Sequence, residues 1–507
     1  MTGESRVDLR LVPAAVAAWA VTAAGILWGV PSSVCAAVVV VLATAAAGWW
    51  ARNRSAEPVA VWPGVLAVGA VGVAFAVSVG LRVHDAERHP VTARVGSTAT
   101  VVVTASETPR TTAGSRVVFR GTLDVLDGAP SSGRVVVFAP VVGYGELTAG
   151  RPAAFRARVA TPTRPDLSVA VLTATGEPRL GEAPRWQQAA AAIRADFAEA
   201  ARAVLPAEQA AMAPALVLGD TSALDVATVR EFRTAGLTHL TAVSGANVTI
   251  VCGAVLLVAV LVGPRVAAAA AAIALVGFVA VVQPTASVLR AAIMGGITLL
   301  AVVSNRRRQA VPALAATVLV TLIVAPHLAV DVGFVLSVAA TAALVVIAPV
   351  WTQRLVDRGW PRPLAAGVAI ALAAQLVTAP VVAGISGAVS LVAIAANLAV
   401  APVIPPITVL GTAAAAVTQL WPAAGRFLIR FTGPELWWLL HTAQWAAALP
   451  GASVPVPSGP AGVAIVAAAT IAGVLLWRGR AGRVAVVIAL LCAAARAAGR
   501  GGAVVPP

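Results

Sequence analysis

Residues 236–251 read GLTHLTAVSGANVTIV and continue from Cys252 as CGAVLLVAVLVG. The apolar part predicts a membrane span over 237–262, since about 20 apolar residues cross the hydrocarbon core as a helix. Its beginning fits that environment poorly, because it carries Thr238, His239, Thr241, Ser244 and Asn247. Polar and ionisable groups inside a membrane are costly and face a bundle interior or a watery cavity. Ser244 and Asn247 are three apart and share a helical face. Ser244-Gly245 can also loosen a helix, with the serine hydroxyl bonding a freed carbonyl. Helices broken at membrane depth persist only where protein or water satisfies the backbone. The plainer alternative is that small and polar residues simply hold neighbouring helices together.

The rest of the chain extends that reading. Of its 507 residues, 59% are hydrophobic and 11% charged, against about 25% charged in soluble domains. This is the composition of a membrane protein. Net charge is +15, and all 36 basic residues are arginine. The lack of lysine excludes a P-loop ATPase, which needs a lysine on the phosphates, and Schiff-base catalysis, which needs an amine. Energy for any transport must then come from a partner or a gradient. Cys35, Cys252 and Cys492 each lie in apolar runs and form neither a disulfide framework nor a metal-type spacing. The N-terminus reads as a retained first helix rather than a cleaved signal.

Spans are predicted near 11–30, 33–50 and 60–81, closing an N-terminal region at residues 1–81. Arg6, Arg10, Arg52 and Arg54 flank these spans on the side the positive-inside rule assigns to the cytoplasm. Residues 82–184 change character, with short β-branched runs such as VGSTATVVVTASETP and SRVVFRGTLDVL between Gly, Pro, Ser and Asp. They predict an extracytoplasmic all-β domain of about five strands, with an OB-like barrel one candidate. Residues 185–236 read as linker helices. In the first, Trp186, Ala190, Ile193, Phe197, Ala201 and Val204 form an apolar stripe, suited to a membrane surface or to ordinary packing. In the second, Ser222 and Asp225 fit a capping box and Gly236 a stop.

From 237 to 500 the chain reads as membrane, with spans near 237–262, 266–283, 285–303, 310–325, 332–350, 364–383, 427–449 and 459–477. Region 386–420 is interrupted at Pro402, Pro405 and Pro406, and 484–498 is a weaker candidate. Arg265, Arg306 to Arg308, Arg354 with Arg358 and Arg362, and Arg478 with Arg480 and Arg483 are expected on the cytoplasmic side. The fold class expected is therefore a polytopic α-helical membrane protein of about 11–13 spans with an inserted extracytoplasmic all-β, OB-like domain.

Further polar groups recur in the spans: Arg290 in QPTASVLRAAIMGG, Asp331 and Ser337 in HLAVDVGFVLSVAAT, Gln375 in LAAQLVTAP, and Asn397 in LVAIAANLAVAPVIPP. A set spread over several helices suggests a lined cavity. GDTSALDVATVREFRTAGLTHLTAVSGANVTIV resembles the signature of ComEC-type competence proteins, the membrane channels of natural transformation. PTASVLRAAIMGG, DVGFVLSVAAT and IAANLAVAP resemble further motifs of that family, in order.

The resemblance spans roughly residues 30–480 and implies uptake of single-stranded DNA across the cytoplasmic membrane. It carries over Asp220, His239, Ser244, Gly245, Asn247, Arg290, Asp331, Ser337 and Asn397 as residues of the DNA path. Arg290 is the expected phosphate contact, and Ser244 to Asn247 the expected pore-shaping region. No catalytic residue, metal ligand or cofactor is expected. Partners implied are single-stranded DNA, membrane lipid, a DNA receptor outside and a separate helicase-like ATPase inside, with a homo-oligomer allowed. Many relatives carry histidine where Asn247 stands, which weakens a metal or proton-relay role there. Many also end in a metallo-β-lactamase-like domain, and the run after Trp477 does not fit one, so the shorter, channel-only form is expected. Two other functions stay open: a transporter of small solutes or lipid-linked substrates, and an intramembrane serine hydrolase at Ser244 with His239 or His441 as base.

Overall fold

The computed structural model describes residues 8–54, 62–112, 116–241, 243–259, 261–282, 286–303 and 309–476. Arg6, Gln283, Arg306 to Arg308, the arginines from Arg478 onward, Cys492 and the candidate segment 484–498 lie outside the described residues. The chain divides into two compact units, one of residues 1–192 with 279–334 and one of 193–278 with 335–507.

In the first unit, helices α1 (Val12–Trp28), α2 (Val30–Arg54) and α3 (Trp62–Glu87) pack on one another. Small residues let them approach: a Cβ on Gly25 of α1 would meet Val79 Cγ1 of α3 at 2.7 Å, as packing between apolar helices requires. Six strands follow: β1 (Thr98–Ala105), β2 (Arg110–Thr112), β3 (Arg116–Leu126), β4 (Ala129–Pro140), β5 (Pro152–Ala160) and β6 (Ser168–Leu180). Their order is β1-β5-β6-β4-β3-β2, and a further β1–β3 pairing closes five of them into a barrel. All barrel pairings are antiparallel except β4 with β6.

Period-two alternation explains the barrel. Val101, Val103, Phe119, Leu123, Val137 and Leu172 are buried and point inward, whereas Arg120, Thr122, Arg156 and Arg158 are exposed between buried neighbours. Fully burying each large apolar side chain contributes about 1.5–3 kcal/mol. Asp127 (φ 49°) and Gly128 (φ 85°) form the two-residue turn that joins β3 to β4, the left-handed pair such hairpins favour. Gly121 has no room for a side chain, since a Cβ would lie 2.8 Å from the Thr104 carbonyl. A short turn, α4 (Val141–Tyr144), in which Val142 and Gly143 leave helical geometry, leads Tyr144 into the core, where its ring meets Phe155 edge-on at 5.5 Å.

Linker helices α5 (Arg185–Val204), α6 (Ala207–Leu218) and α7 (Val226–Thr234) follow, then α8 (Gly245–Ala259) and α9 (Pro264–Val282). On α5, Ala190, Phe197 and Ala201 of the stripe are buried, while Trp186 is exposed. Helices α10 (Ala286–Val303) and α11 (Ala310–Val324) return to the first unit. There Trp19 Nε1 donates to Ala329 O at 2.8 Å, and its ring meets Phe334 at 5.2 Å. Then come α12 (Val332–Ala342), a π-helical turn (Ala343–Ile347), α13 (Ala348–Val356), α14 (Arg362–Ser386), β7 (Ala388–Ser390), α15 (Ala393–Val400), α16 (Ile404–Thr418), α17 (Pro422–Arg430), α18 (Gly433–Ala448), β8 (Ser453–Pro455) and α19 (Pro460–Leu476). Strands β7 and β8 pair as a two-stranded sheet.

By length and composition, five stretches among the described residues can cross a membrane: Val30–Trp50, Pro63–Arg94, Pro264–Val282, Val332–Val356 and Arg362–Ser386. The pair α15–α16, bent by 52°, counts as a sixth if taken as one span. The fold is that of a polytopic helical membrane protein. Val12–Trp28, Gly245–Ala259, Ser287–Ala301, Ala310–Val324 and Pro460–Leu476 are further apolar helices, each 10–17 residues long over the described residues, against about 20 for a helix that crosses the hydrocarbon core alone. The expected span 427–449 is broken, because α17 stops at Arg430 and α18 restarts at Gly433-Pro434, proline being at home in a first helical turn.

Candidate functional site

The polar stretch of the second unit begins where α6 ends. Gly219 caps α6 in the left-handed region (φ 77°), and its N–H bonds back into the last turn. Asp220 then folds the chain on itself, its Oδ1 accepting from Ser222 N at 3.0 Å. Asp220 also faces Arg194 of α5: burial pushes that guanidinium below its ordinary pKa, and the Asp220 carboxylate opposes the shift. The cap of α7 is Asp225 itself, accepting from Val226 N and Ala227 N at 2.7 and 3.2 Å. This corrects the expected capping box: Ser222 lies in the preceding turn, and the Asp225 carboxylate itself caps two of the free amides.

Helix α7 ends at Ala235, and Gly236 (φ 74°) reverses the chain while Leu237 N reaches back to Phe232 O at 2.7 Å. That is a glycine-terminated helix end of the usual kind. A second constraint acts on Gly236. A Cβ there would lie 2.4 Å from Ala393 Cβ and 3.3 Å from Ser390 Cβ, so the loop rests directly on the start of α15. Phe232 and Leu237 are both fully buried on either side of the reversal.

Residues 237–244 are therefore not the first turns of a span. Thr238–Leu240 form a 3-10 turn, with His239 exposed and Thr241 Oγ1 donating to Thr238 O at 2.8 Å. Helix α8 starts only at Gly245, which corrects the span expected from 237. Ser244 Oγ donates to Asn247 Oδ1 at 3.3 Å, and the buried Asn247 Nδ2 donates to Leu216 O at 2.9 Å. Leu216 lies in the last turn of α6, whose carbonyls have no partner within their own helix. Asn247 thus ties the first turn of α8 to the last turn of α6. Helix α16 packs on both, and Gly411 makes room for Val217, whose Cγ2 would sit 2.3 Å from a Cβ at that position.

Asn397 stands on α15, the helix on which Gly236 rests. Its Nδ2 donates to Ala393 O one turn back at 2.8 Å. Trp438 Nε1 of α18 donates to Ala399 O at 2.9 Å. Asp220, His239, Ser244, Gly245 and Asn247 thus follow one another along a stretch fixed to α6, α15 and α16. Ser337 belongs to the same unit, on α12, where its carbonyl accepts from Thr341 Oγ1.

Arg290 and Asp331 belong to the first unit. Arg290 is 7% exposed, so it does not extend outward to the membrane surface. Its Nη1 lies 3.9 Å from Met294 Sδ, one turn along α10. Asp331 caps α12, its Oδ1 accepting from Phe334 N at 2.9 Å. Sequence reasoning missed Leu216 and Gly411, the partners that give Asn247 and α16 their places. The only signal for Gly411 was a glycine among small residues in TVLGTAAAA.

Against known proteins, the family model described as Competence protein matches residues 216–481 of this chain. No curated protein and no solved structure matches.

Proposed function

This chain belongs to the competence protein family, which implies a role in DNA uptake, and from that premise we propose that it is the membrane channel through which one DNA strand enters the cytoplasm. The observation that carries this reading is the stretch from Asp220 to Asn247. It lies inside the matched region, and it is fixed at both ends, with Gly236 resting on the start of α15 and the buried Asn247 bonded to the last turn of α6. A nucleic-acid strand carries one charge per phosphate and needs hydrated, polar surroundings to cross hydrocarbon. Arg290, buried in α10, suits a phosphate contact.

On this reading the chain sits in the cytoplasmic membrane with its barrel outside. The barrel is OB-like: β1, β3, β4, β5 and β6 serve as its five strands, with the third and fifth parallel. Such barrels bind oligonucleotides on the face of their second and third strands. The channel itself does no covalent chemistry. A receptor outside, a lysine-bearing ATPase inside and copies of this chain are its proposed partners. The hydrolase alternative finds little support, since Ser244 Oγ faces an amide, Asn247, which cannot act as a general base. The bent pair α15–α16 favours a second reading, a transporter of small or lipid-linked solutes.

The test is uptake of labelled double-stranded DNA by cells lacking the gene, complemented with the wild type or Arg290→Ala. Surface and nuclease-protected label are scored separately. The channel reading expects deletion to abolish only the protected fraction, and Arg290→Ala to leave it unrestored at normal membrane levels. Protected DNA unchanged by deletion would move the transporter reading to the front.

A further inference from the structure

On the outer face of the barrel, Arg120 of β3 lies opposite Val136 of β4, and Arg134 lies opposite Thr122. The two arginines are thus diagonal neighbours on one face, with Cβ atoms roughly 7–8 Å apart. Arg134 Nη1 is buried with no hydrogen-bond partner among the described residues, a costly state for a charged donor unless something occupies the space beside it.

Two helix ends of the same unit bring further positive and donor groups to this place. Arg82 of α3 donates through Nη2 to Ile323 O at 3.5 Å, near the C-terminus of α11. His327 follows in the next turn, and its imidazole is pushed down to about 3 by burial and by the charges of Arg134, Arg120 and Arg82. That imidazole is neutral at physiological pH and has a hydrogen-bond donor to offer.

The carboxylates of Asp166, Asp331 and Glu107 offset part of the charge on Arg134 from a distance, without an ion pair to it among the described residues. Asp331 caps α12, Asp166 Oδ1 accepts from Ser168 N, and Glu107 bonds Arg120 N and pairs with Arg110 at 3.6 Å. Arg82, Arg120 and Arg134 have no ion pair within 4.0 Å among the described residues.

We propose that Arg120 and Arg134, with Arg82 and His327, form a phosphate-binding site at the junction of the barrel and the ends of α3 and α11. Guanidinium groups offer paired N–H donors that match phosphate oxygens. The site takes a phosphodiester, whether from a DNA strand or from a phospholipid headgroup beside the helix ends. It stands apart from the channel reading, since a lipid phosphate would fill it equally well.

The experiment uses the purified full chain. Binding of a fluorescent oligo-dT is measured by anisotropy over a salt series. Retention of phosphatidylglycerol is measured by native mass spectrometry after exchange into detergent. The variant is Arg120→Gln with Arg134→Gln, and the control is Arg158→Gln on the outer face of β5. For a DNA phosphate, affinity falls about tenfold or more, and the slope of log affinity against log salt becomes shallower by about 1.4, two phosphate contacts at roughly 0.7 each. The control stays within about twofold of wild type.

Loss of retained phosphatidylglycerol with unchanged oligonucleotide binding also upholds the site and assigns it to lipid. If the double variant melts like wild type and loses neither ligand, or if the control loses as much, the proposal is overturned. Should the double variant fail to fold, Arg82→Gln and His327→Gln are read the same way. A wild type that binds neither probe overturns the site and leaves the channel reading to the uptake assay.

Discussion

The barrel and the Gly236–Asn247 stretch hold themselves together by different means. In the barrel, water outside and an apolar interior make burial alternate residue by residue, and the stability is spread over many similar contributions. Between Gly236 and Asn247 the surroundings are already apolar, so burying another methyl group gains little. Position is set instead by a few specific contacts: a glycine that lets the backbone touch Ala393, an amide that completes Leu216, and a hydroxyl on that amide. Damage should therefore be graded in the barrel and nearly all-or-none in the stretch.

The contrast breaks most readily at Phe119, which is fully buried at the barrel centre. Phe119→Ala should cost about 3–5 kcal/mol, and limited proteolysis of the full chain should show the 98–180 region cleaved first while the later helices stay protected. Next comes Asn247→Ala, which leaves the Leu216 carbonyl unpaired at about 1–3 kcal/mol. Asn247→Asp cannot restore it, because a carboxylate has no N–H to donate. Thermal melts of the two variants should be equally depressed, and matching wild-type melts would show that this tie is dispensable.

Acid should act on the helix junction beside the barrel through His327. His327 binds its proton far less readily in the folded chain than at its ordinary 6.5. Above that value it is neutral folded or unfolded and contributes nothing to pH dependence. As pH falls from about 6.5 toward about 3 the unfolded chain gains a proton the folded one refuses, so stability is lost across that window. His327→Gln should flatten this part of the melt-versus-pH curve.

The smallest effect has the opposite sign. Tyr144, the only tyrosine, is fully buried with its hydroxyl unpartnered among the described residues, and burial pushes its pKa up. Tyr144→Phe removes a polar group that gains nothing and should raise stability by about 1 kcal/mol, read as a higher melting temperature.

The same contrast explains what could be read in advance. The barrel was legible because alternation in VVFRGTLDVL is imposed by solvent, and its strand count followed. The competence motifs were legible as a pattern, and Gly236 as a helix stop. The exact place where α8 begins was not, because apolarity across 237–262 is compatible with a helix starting anywhere after the glycine. Only the bond from Asn247 to a residue 31 positions earlier fixes it. The break between α17 and α18 was visible as Gly433-Pro434 after Arg430, but hydropathy averaged over a long window conceals it. That Asp331 caps α12 could be inferred from its position, whereas the burial of Arg290 depends on neighbours far away in sequence.

The parallel pairing of β4 with β6 has a consequence in time. Strand β1 pairs with β3 soon after both are made, but its other edge waits for β5, and β5 and β4 are joined only through β6. From the last residue of β1, Ala105, to the first of β6, Ser168, the ribosome must add roughly 60 residues, which takes several seconds at about 5–20 residues per second. For that interval a nascent, half-paired sheet follows helices already made. Whatever carries this segment to its destination must shield those bare strand edges until Ser168–Leu180 arrives.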